Sequence, residues 1–321
     1  MDYIQYLLLR AMVWAVGLIP AGALRPVSQA AGTLMWHADP WHRRTIVNNL
    51  ERALGGEKSA EERMRIGKAV FDNLIYNICL FLRIGRYSFE QIQEMTEGEN
   101  LDYVDRVMEK GKGLIFVTAH FGNWEYLGIM GSIVLRRYRP VSIGRELRNR
   151  YVDRYIHALR EHTNNRLIAK KNAVFEIMRT LKGNGIVSFL ADQIGGNDSV
   201  MADFFGVKVP TVSSPAYFAA RTGAPVVPTF IVQKGERYTV VFEKPIAPDL
   251  SKPVDEEVSR ITQAYTAVIE RYVRAYPDQW FWMHKRWKSK RAKKKFSDSY
   301  RIAVHAPNWI GACTEIGRAH V

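Results

Sequence analysis

The chain has 321 residues, 47% of them hydrophobic, and its formal net charge is +14. This length and apolar content suit one large α/β domain or two small ones and exclude a disordered protein. The charge implies an anionic partner, while two cysteines and the spacing of the histidines predict neither a disulfide framework nor a metal site.

The N-terminus is an apolar segment interrupted by Arg10 and continued by uncharged, mostly apolar residues over 11–24. A spanning helix needs about 20 apolar residues, so this segment is borderline between a short span and an interfacial anchor. Arginines follow from Arg25 onward, and the positive-inside rule then predicts that the rest of the chain is cytoplasmic. We therefore expect residues 1–40 to form a membrane-anchoring helix and a linker.

After this segment, strand and helix patterns alternate, which predicts a central, mostly parallel sheet flanked by helices. Ser59 and Glu62 form a capping box at the start of one helix. Helices are expected at 41–54, 59–83, 100–110, 149–163, 173–181 and 255–275. Strands are expected at 114–118, 140–143, 166–168 and 185–190, with a hairpin at 224–232 and 238–242. The predicted fold class is α/β, and one domain is assigned to 41–290.

A histidine and a carboxylate follow the predicted strand 114–118, within the sequence AHFGNWE. Gly122 interrupts any continuous helix here, so His120 would lie on a turn and Glu125 in the first turn of the next helix. A neutral imidazole can accept a proton from a hydroxyl while a carboxylate fixes its tautomer. We interpret the two as a general-base pair. The alternative is a turn histidine beside a helix N-terminal charge that the macrodipole favours.

Two motifs carry a family resemblance: HFGNWE at 120–125 and YPDQWFWMHKRWK at 276–288. In this order they resemble the bacterial lipid A biosynthesis acyltransferase family, the lauroyl and myristoyl transferases, and the likeness extends to about residue 290. The resemblance implies a glycerolipid acyltransferase-like fold without a cofactor, on the cytoplasmic face of the bacterial inner membrane. It also implies acyl carrier protein as the acyl donor and a lipid A precursor as the acceptor.

The resemblance points to further residues near strand ends. Arg145 occupies the position of a family arginine that would contact the anionic part of a substrate, and a surface arginine is the alternative. Asp192 and Gln193 match another family block. Asp192 would pair with Arg145, hold the loop that shapes the acyl pocket, or serve as a structural cap. Asn123, inside the first motif, is the remaining candidate for substrate binding.

In the implied reaction, His120 removes the proton of the acceptor hydroxyl as that hydroxyl attacks the thioester, and Glu125 orients and charges the imidazole. Backbone N–H groups after Gly122 would stabilise the oxyanion. Because the fold does not fix the acceptor, another membrane glycolipid or a lysophospholipid stays open. A non-catalytic, basic membrane-surface protein is the alternative from another class. No nucleic-acid partner is expected, since the chain contains no recognisable binding module.

Basic residues are concentrated near the second motif, where eight of eleven residues over 285–295 are Lys or Arg. Together with Trp280, Trp282 and Trp287, they are interpreted as an interfacial patch that binds an anionic membrane. The alternative is a solvated basic tail that follows core tryptophans.

The last segment, 291–321, is expected to be a basic linker and a truncated, non-native tail. Residues 301–311 resemble the first strand and loop of lipopolysaccharide heptosyltransferases. The hypothesis is a natural fusion to such a domain, cut short. Residues 316–321 look like translated sequencing-adapter sequence.

Overall fold

The structure is a computed structural model that describes residues 1–135, 137–144, 147–161, 166–169, 173–194 and 199–287. Its helices are α1 (Asp2–Leu18), α2 (Ala21–Ala38), α3 (Pro40–Leu54), α4 (Ala60–Arg83), α5 (Phe89–Glu94), α6 (Leu101–Met108), α7 (Trp124–Val134), α8 (Arg150–Arg160), α9 (Ala173–Lys182), α10 (Ser214–Thr222) and α11 (Val254–Ala275). The strands are β1 (Thr96–Glu99), β2 (Leu114–Thr118), β3 (Val141–Gly144), β4 (Arg166–Ala169), β5 (Ile186–Leu190), β6 (Ser199–Phe204), β7 (Val207–Val212), β8 (Val226–Lys234) and β9 (Arg237–Phe242).

Seven of these strands form one sheet, in the order β1-β9-β8-β2-β5-β3-β4. The strands β8, β2, β5, β3 and β4 are parallel, whereas β9 is antiparallel to β8 and β1 is parallel to β9. Strands β6 and β7 form a separate antiparallel hairpin that the sequence analysis did not predict. The predicted mostly parallel sheet flanked by helices is confirmed, and the predicted strand at 114–118 coincides with β2.

The centre of the sheet is buried on both faces, as its uninterrupted apolar strands indicate. Ile115 and Val117 of β2 pack into one core together with residues of α3, α9, α10 and α11. Leu114 and Phe116 face the other core, which contains residues of α6, α7 and α8. Each fully buried side chain of this size contributes about 1.5–3 kcal/mol of transfer free energy, so the helices on both faces hold β2 in place.

The N-terminal segment folds as two helices, which separate at Pro20 and pack along α4. The approach is close at Gly32, where an added Cβ would overlap the backbone of Asp72. Among the described residues, no helix combines the length and the apolar character that crossing a bilayer requires. Large apolar side chains nevertheless remain exposed on α1 and α2, and we call them the N-terminal apolar surface: Tyr3, Ile4, Leu7, Leu8, Met12, Trp14, Leu18, Val27, Leu34 and Met35.

The tryptophans of the second motif are core residues. Trp280, Trp282 and Trp287 are 2%, 0% and 8% exposed, so the interpretation of these indoles as an interfacial membrane patch is wrong. They pack against one another and against Phe204 and Phe205 at the tip of the β6–β7 hairpin. Because no hairpin was predicted from sequence at 199–212, no packing partner was expected for the indole rings. The basic residues after position 287 lie outside the described residues, as does the whole predicted tail.

The second motif crosses the turn that follows β2, and we call residues 276–287 the C-terminal segment of the described structure. The N–H of Gly122 donates a hydrogen bond to the carbonyl of Gln279 (2.8 Å), and the N–H of Phe281 donates to the carbonyl of His120 (2.9 Å). Asn77 on α4 holds the same turn by donating from its side-chain amide to the carbonyl of Gly122 (2.9 Å). Gly122 itself has φ +57°, and a Cβ there would overlap the carbonyl oxygen of Ile231. Only glycine fits this position.

We expect Gly122→Ala to lower the free energy of unfolding more than Gly111→Ala does. Both residues have a positive φ, but a Cβ at Gly111 meets no atom within 4 Å. The left-handed conformation costs a residue with a Cβ about 1–2 kcal/mol at either position, and overlap at Gly122 adds about 1–3 kcal/mol. Urea unfolding of the two variants measures the difference. Equal losses would contradict the close approach of the turn to β8.

Candidate active site

The site lies where two neighbouring parallel strands end together. Thr118 of β2 pairs with Leu190 of β5, and the N–H of Ala191 donates to the carbonyl of Thr118 (3.0 Å). Because the carboxyl ends of parallel strands meet at one edge of a sheet, the residues that follow them are brought together. His120 follows β2 and Asp192 follows β5, which places the two side chains in contact although 72 positions separate them.

A chain of two hydrogen bonds defines the site. His120 Nδ1 lies 2.8 Å from Asp192 Oδ1, and Trp280 Nε1 donates to Asp192 Oδ2 over 2.8 Å. The Asp192 side chain is 2% exposed, whereas that of His120 retains 21% exposure. An ionised carboxylate only accepts hydrogen bonds, so the neutral imidazole carries its proton on Nδ1 and has its lone pair on Nε2.

The charges of the pair stabilise each other. Burial alone would lower the pKa of His120, but the charge of Asp192 and the hydrogen bond to it outweigh burial and raise that pKa above 6.5. Burial alone would raise the pKa of Asp192, yet His120 and the Trp280 N–H hold it below its ordinary value. The buried guanidinium of Arg286, whose own pKa burial lowers to about 10, adds positive charge nearby. The site therefore contains an ionised acid and an imidazole that is readily protonated.

Glu125 has a different partner from the one that the sequence analysis expected. Its carboxylate accepts two hydrogen bonds from Arg160 on α8, at 2.8 Å from Nε and 2.7 Å from Nη2. The charge of Glu125 also contributes to the raised pKa of His120. The carboxylate that is hydrogen-bonded to the imidazole is that of Asp192. Glu125 thus lies in the site as half of an ion pair.

The other candidate residues occupy distinct positions. Asn123 is 1% exposed and caps α7, where its Oδ1 accepts a hydrogen bond from the N–H of Tyr126 (3.2 Å). The side-chain amide nitrogen of Gln193 lies 3.4 Å from His120 Nε2, where it can donate a hydrogen bond to the lone pair of that nitrogen. Arg145 lies outside the described residues. His120, Asp192 and Gln193 are therefore brought together, whereas the polar side chain of Asn123 caps a helix.

A cavity of about 320 Å³ lies between the sheet and α7, and its lining includes Thr118, Trp124 and Glu125, the neighbours of His120 in the chain, but not His120 or Asp192 themselves. Trp124 and Glu125, at the start of α7, form the part of the cavity wall nearest to His120. The ring centroids of Trp124 and His120 lie 5.4 Å apart. Gly131, farther along α7, leaves the cavity open, because a Cβ there would meet no atom within 4 Å. The rest of the lining is mostly apolar and includes Phe116, Leu127, Leu135, Ile143, Phe189, Leu190, Val240 and Phe242.

Several residues of the site were not assigned from sequence. Trp280 and Arg286 belong to the second motif, but nothing local indicated that this motif would meet the turn at His120. Arg160 carries no sequence signal beyond its place on a predicted helix. Among the described residues, no group of three His, Cys, Asp or Glu side chains could hold a metal ion.

Comparisons with known proteins match the chain over most of its length. The family model described as "Bacterial lipid A biosynthesis acyltransferase" matches residues 1–289. A lipid A biosynthesis lauroyltransferase of Escherichia coli K12 is 22% identical over 285 residues, which are 87% of this chain and 90% of that protein. A lipid A biosynthesis acyltransferase of Shigella flexneri is 23% identical over 237 residues, covering 73% and 75% of the two chains.

A phosphatidylinositol mannoside acyltransferase of Mycobacterium tuberculosis is 26% identical over 198 residues, and the match spans 58% of each chain. The identities to all three relatives are low, but the family model spans the sheet, the site and the second motif. The chain therefore belongs to the bacterial lipid A biosynthesis acyltransferase family.

Proposed function

We propose that this protein transfers a fatty acyl chain from a thioester of acyl carrier protein to a hydroxyl of lipid A or a related glycolipid. The observation that carries the proposal is the His120–Asp192 pair beside an apolar cavity. A general base must have an accessible nitrogen, and His120 retains exposure while Asp192 is buried behind it. The net charge of +14 favours encounter with an acidic carrier protein and with anionic lipid.

His120 is the general base of the proposed reaction. Its Nε2 accepts the proton of the acceptor hydroxyl while the oxygen attacks the thioester carbonyl carbon. Asp192 accepts the Nδ1 hydrogen bond and stabilises the imidazolium that forms, with Trp280 fixing the orientation of the carboxylate. When the tetrahedral intermediate collapses, the carbon–sulfur bond breaks and the imidazolium protonates the departing thiolate.

Glu125 acts through its charge and its ion pair. It makes the imidazole more basic, while Arg160 holds the carboxylate at the wall of the cavity. We assign the N–H groups at the start of α7 to the oxyanion, since the positive end of that helix adjoins His120. The sequence-based assignment of His120 and Glu125 to catalysis is retained, with Asp192 as the acid in direct contact.

The acyl chain occupies the cavity in this proposal. Its lining is mostly apolar, and it lies between the sheet and α7, with Trp124 and Glu125 bringing its wall to His120. Pockets of this kind bury most of an apolar ligand and fix it by a few polar groups. The acceptor is lipid A or a related glycolipid because a lipid A biosynthesis acyltransferase and a phosphatidylinositol mannoside acyltransferase both match the chain.

We further propose that the N-terminal apolar surface lies in the cytoplasmic face of the bacterial inner membrane. An exposed apolar patch of this extent is typical of a binding surface, and cations such as Arg10 accompany it. Helix α1 packs against α8, which supplies Arg160 to the cavity, so the surface adjoins the site. The acyltransferase domain over 41–290 would then meet its lipid acceptor at the bilayer, and the tail from 291 would take no part.

Cells that lack their own secondary lipid A acyltransferases test the function. Expression of the protein should add one acyl mass to lipid A, and His120→Ala should abolish that addition, since loss of a general base costs about 100-fold to 10,000-fold. Glu176→Gln, on α9, removes a half-buried carboxylate that pairs with Arg166 and Arg179 outside the site, and it serves as the control. Unchanged lipid A with folded wild-type protein in the membrane would contradict the function.

The pH dependence of turnover tests the role of Asp192. The base is active when neutral, so the rate should fall in acid as His120 is protonated, with a midpoint above 6.5. Asp192→Asn removes the charge that raises the pKa of His120. We expect a slower enzyme whose acid limb moves to lower pH. An acid limb that stays in place would show that Asp192 does not set the basicity of the imidazole.

Gly131→Leu should shift acyl selectivity toward shorter chains. The new side chain would project into the cavity, and leucine also has a higher helix propensity than glycine, so folding is preserved. Overpacking costs about 1–3 kcal/mol, which predicts a loss of about tenfold or more in kcat/KM for the longest substrate of a series of acyl thioesters. Gly131→Ala should give a smaller shift. An unchanged chain-length profile for Gly131→Leu would place the acyl chain elsewhere.

Trp14→Ala should weaken binding to anionic lipid vesicles without lowering stability. Trp14 is 64% exposed on α1, so its loss should change the free energy of unfolding by no more than about 0.5 kcal/mol. Burial of the indole in a bilayer contributes on the scale of an aromatic side chain, so affinity should fall about tenfold. Phe175→Ala, an exposed aromatic on α9, is the control. Equal vesicle affinity for Trp14→Ala and wild type would contradict the docking surface.

A further inference from the structure

A buried hydroxyl in the wall of the cavity has no partner among the described residues. Thr118, the last residue of β2, is 8% exposed and lines the cavity. Its Oγ1 is buried and makes no hydrogen bond to any of the described residues. By contrast, the hydroxyl of Thr229, which lines the same cavity, donates to the carbonyl of Val227 (3.2 Å). A buried polar group without a partner costs about 1–3 kcal/mol, so the unpartnered hydroxyl of Thr118 calls for a ligand.

The position of Thr118 relates this hydroxyl to the catalytic pair. Side chains two residues apart on a strand share a face of the sheet, and Phe116 and Thr118 both line the cavity. His120 lies two residues beyond Thr118. The strand partner of Thr118 is Leu190, which lies two residues before Asp192. Thr118 is thus at the edge of the sheet from which both catalytic side chains project.

We propose that the Thr118 hydroxyl donates a hydrogen bond to the carbonyl oxygen of the acyl group bound in the cavity, which makes Thr118 a further catalytic residue. The inference rests on the proposed function. The acceptor oxygen forms its bond to the carbonyl carbon, and His120 Nε2 takes the hydroxyl proton. The carbonyl electron pair moves onto the oxygen that Thr118 contacts, then returns as the carbon–sulfur bond breaks and the thiolate takes the proton from His120.

The hydrogen bond matters more as the reaction proceeds. A donor in a site of low dielectric interacts more strongly with an oxyanion than with a neutral carbonyl, so it lowers the barrier rather than only improving binding. Loss of one such donor costs roughly 100-fold in kcat. The effect on KM should be small, because the apolar lining supplies most of the binding. A large fall in kcat with little change in KM distinguishes a catalytic hydroxyl from one that only contributes to packing.

Thr118→Val tests the inference, because it keeps the shape of the side chain and removes the hydroxyl. We expect a fall of about 100-fold in kcat for acyl thioester turnover, little change in KM, and an urea midpoint equal to or above that of wild type. Thr118→Ser restores a hydroxyl and should recover most of the turnover. Thr266→Val is the control: Thr266 is 1% exposed on α11, its hydroxyl donates to the carbonyl of Thr262, and it should turn over normally.

The outcomes separate the two proposals. If the wild-type protein turns over acyl thioester and Thr118→Val matches it in kcat, the inference is overturned while the proposed function stands. If Thr118→Val unfolds readily, the hydroxyl has a structural partner and the inference is again overturned. If folded wild-type protein turns over no acyl thioester with any glycolipid acceptor, the proposed function fails and the role of Thr118 fails with it.

Discussion

A carboxylate that is removed from water destabilises the fold by several kcal/mol unless hydrogen bonds and opposite charge compensate for its burial. Asp192 is in this position, at 2% exposure. Its two oxygens are satisfied by His120 and Trp280, and the buried charge of Arg286 lies nearby. These partners come from distant parts of the chain, so the turn after β2, the end of β5 and the C-terminal segment must all be in place for the carboxylate to remain ionised.

The interactions that compensate for the burial of Asp192 also link the stability of the fold to the chemistry of the site. Trp280 is both a core residue, packed among aromatic rings of the β6–β7 hairpin, and the donor that orients Asp192. Backbone hydrogen bonds on either side of Trp280 fix the turn that carries His120. Because Trp280 both packs on the hairpin and orients Asp192, a change in the packing of the hairpin would alter the position of the carboxylate that contacts the imidazole. The aromatic second motif is therefore a structural support for the site and not, as its composition suggested, a membrane contact.

The sequence predicted what depends on local pattern. The strand at β2, the glycine turn, the position of His120 and the helices α3, α4, α6, α7, α8, α9 and α11 follow from periodicity and from breaks at glycine, whereas α5 and α10 were not predicted. The acid partner did not, because Glu125 is close in sequence whereas Asp192 is brought close only by the pairing of β2 with β5. Strand order and the β6–β7 hairpin are decided by packing between segments, and no local pattern specifies them. The apolar N-terminal segment was expected as an anchor, but its division into α1 and α2 at Pro20 and the packing of both helices on α4 depend on contacts between segments that no local pattern specifies.

The distance in sequence between His120 and Trp280 also bears on how the protein is made. At a synthesis rate of 5–20 residues per second, about 10–30 s separate the emergence of the turn from that of the segment that closes over it. During this interval the hydrogen bonds from Gly122 to Gln279 and from Trp280 to Asp192 do not exist. A nascent chain that has completed β2, α7 and β5 thus holds a histidine without a fixed acid. The catalytic pair is therefore complete only after the segment that contains Gln279 and Trp280 has been synthesised and has packed on the turn.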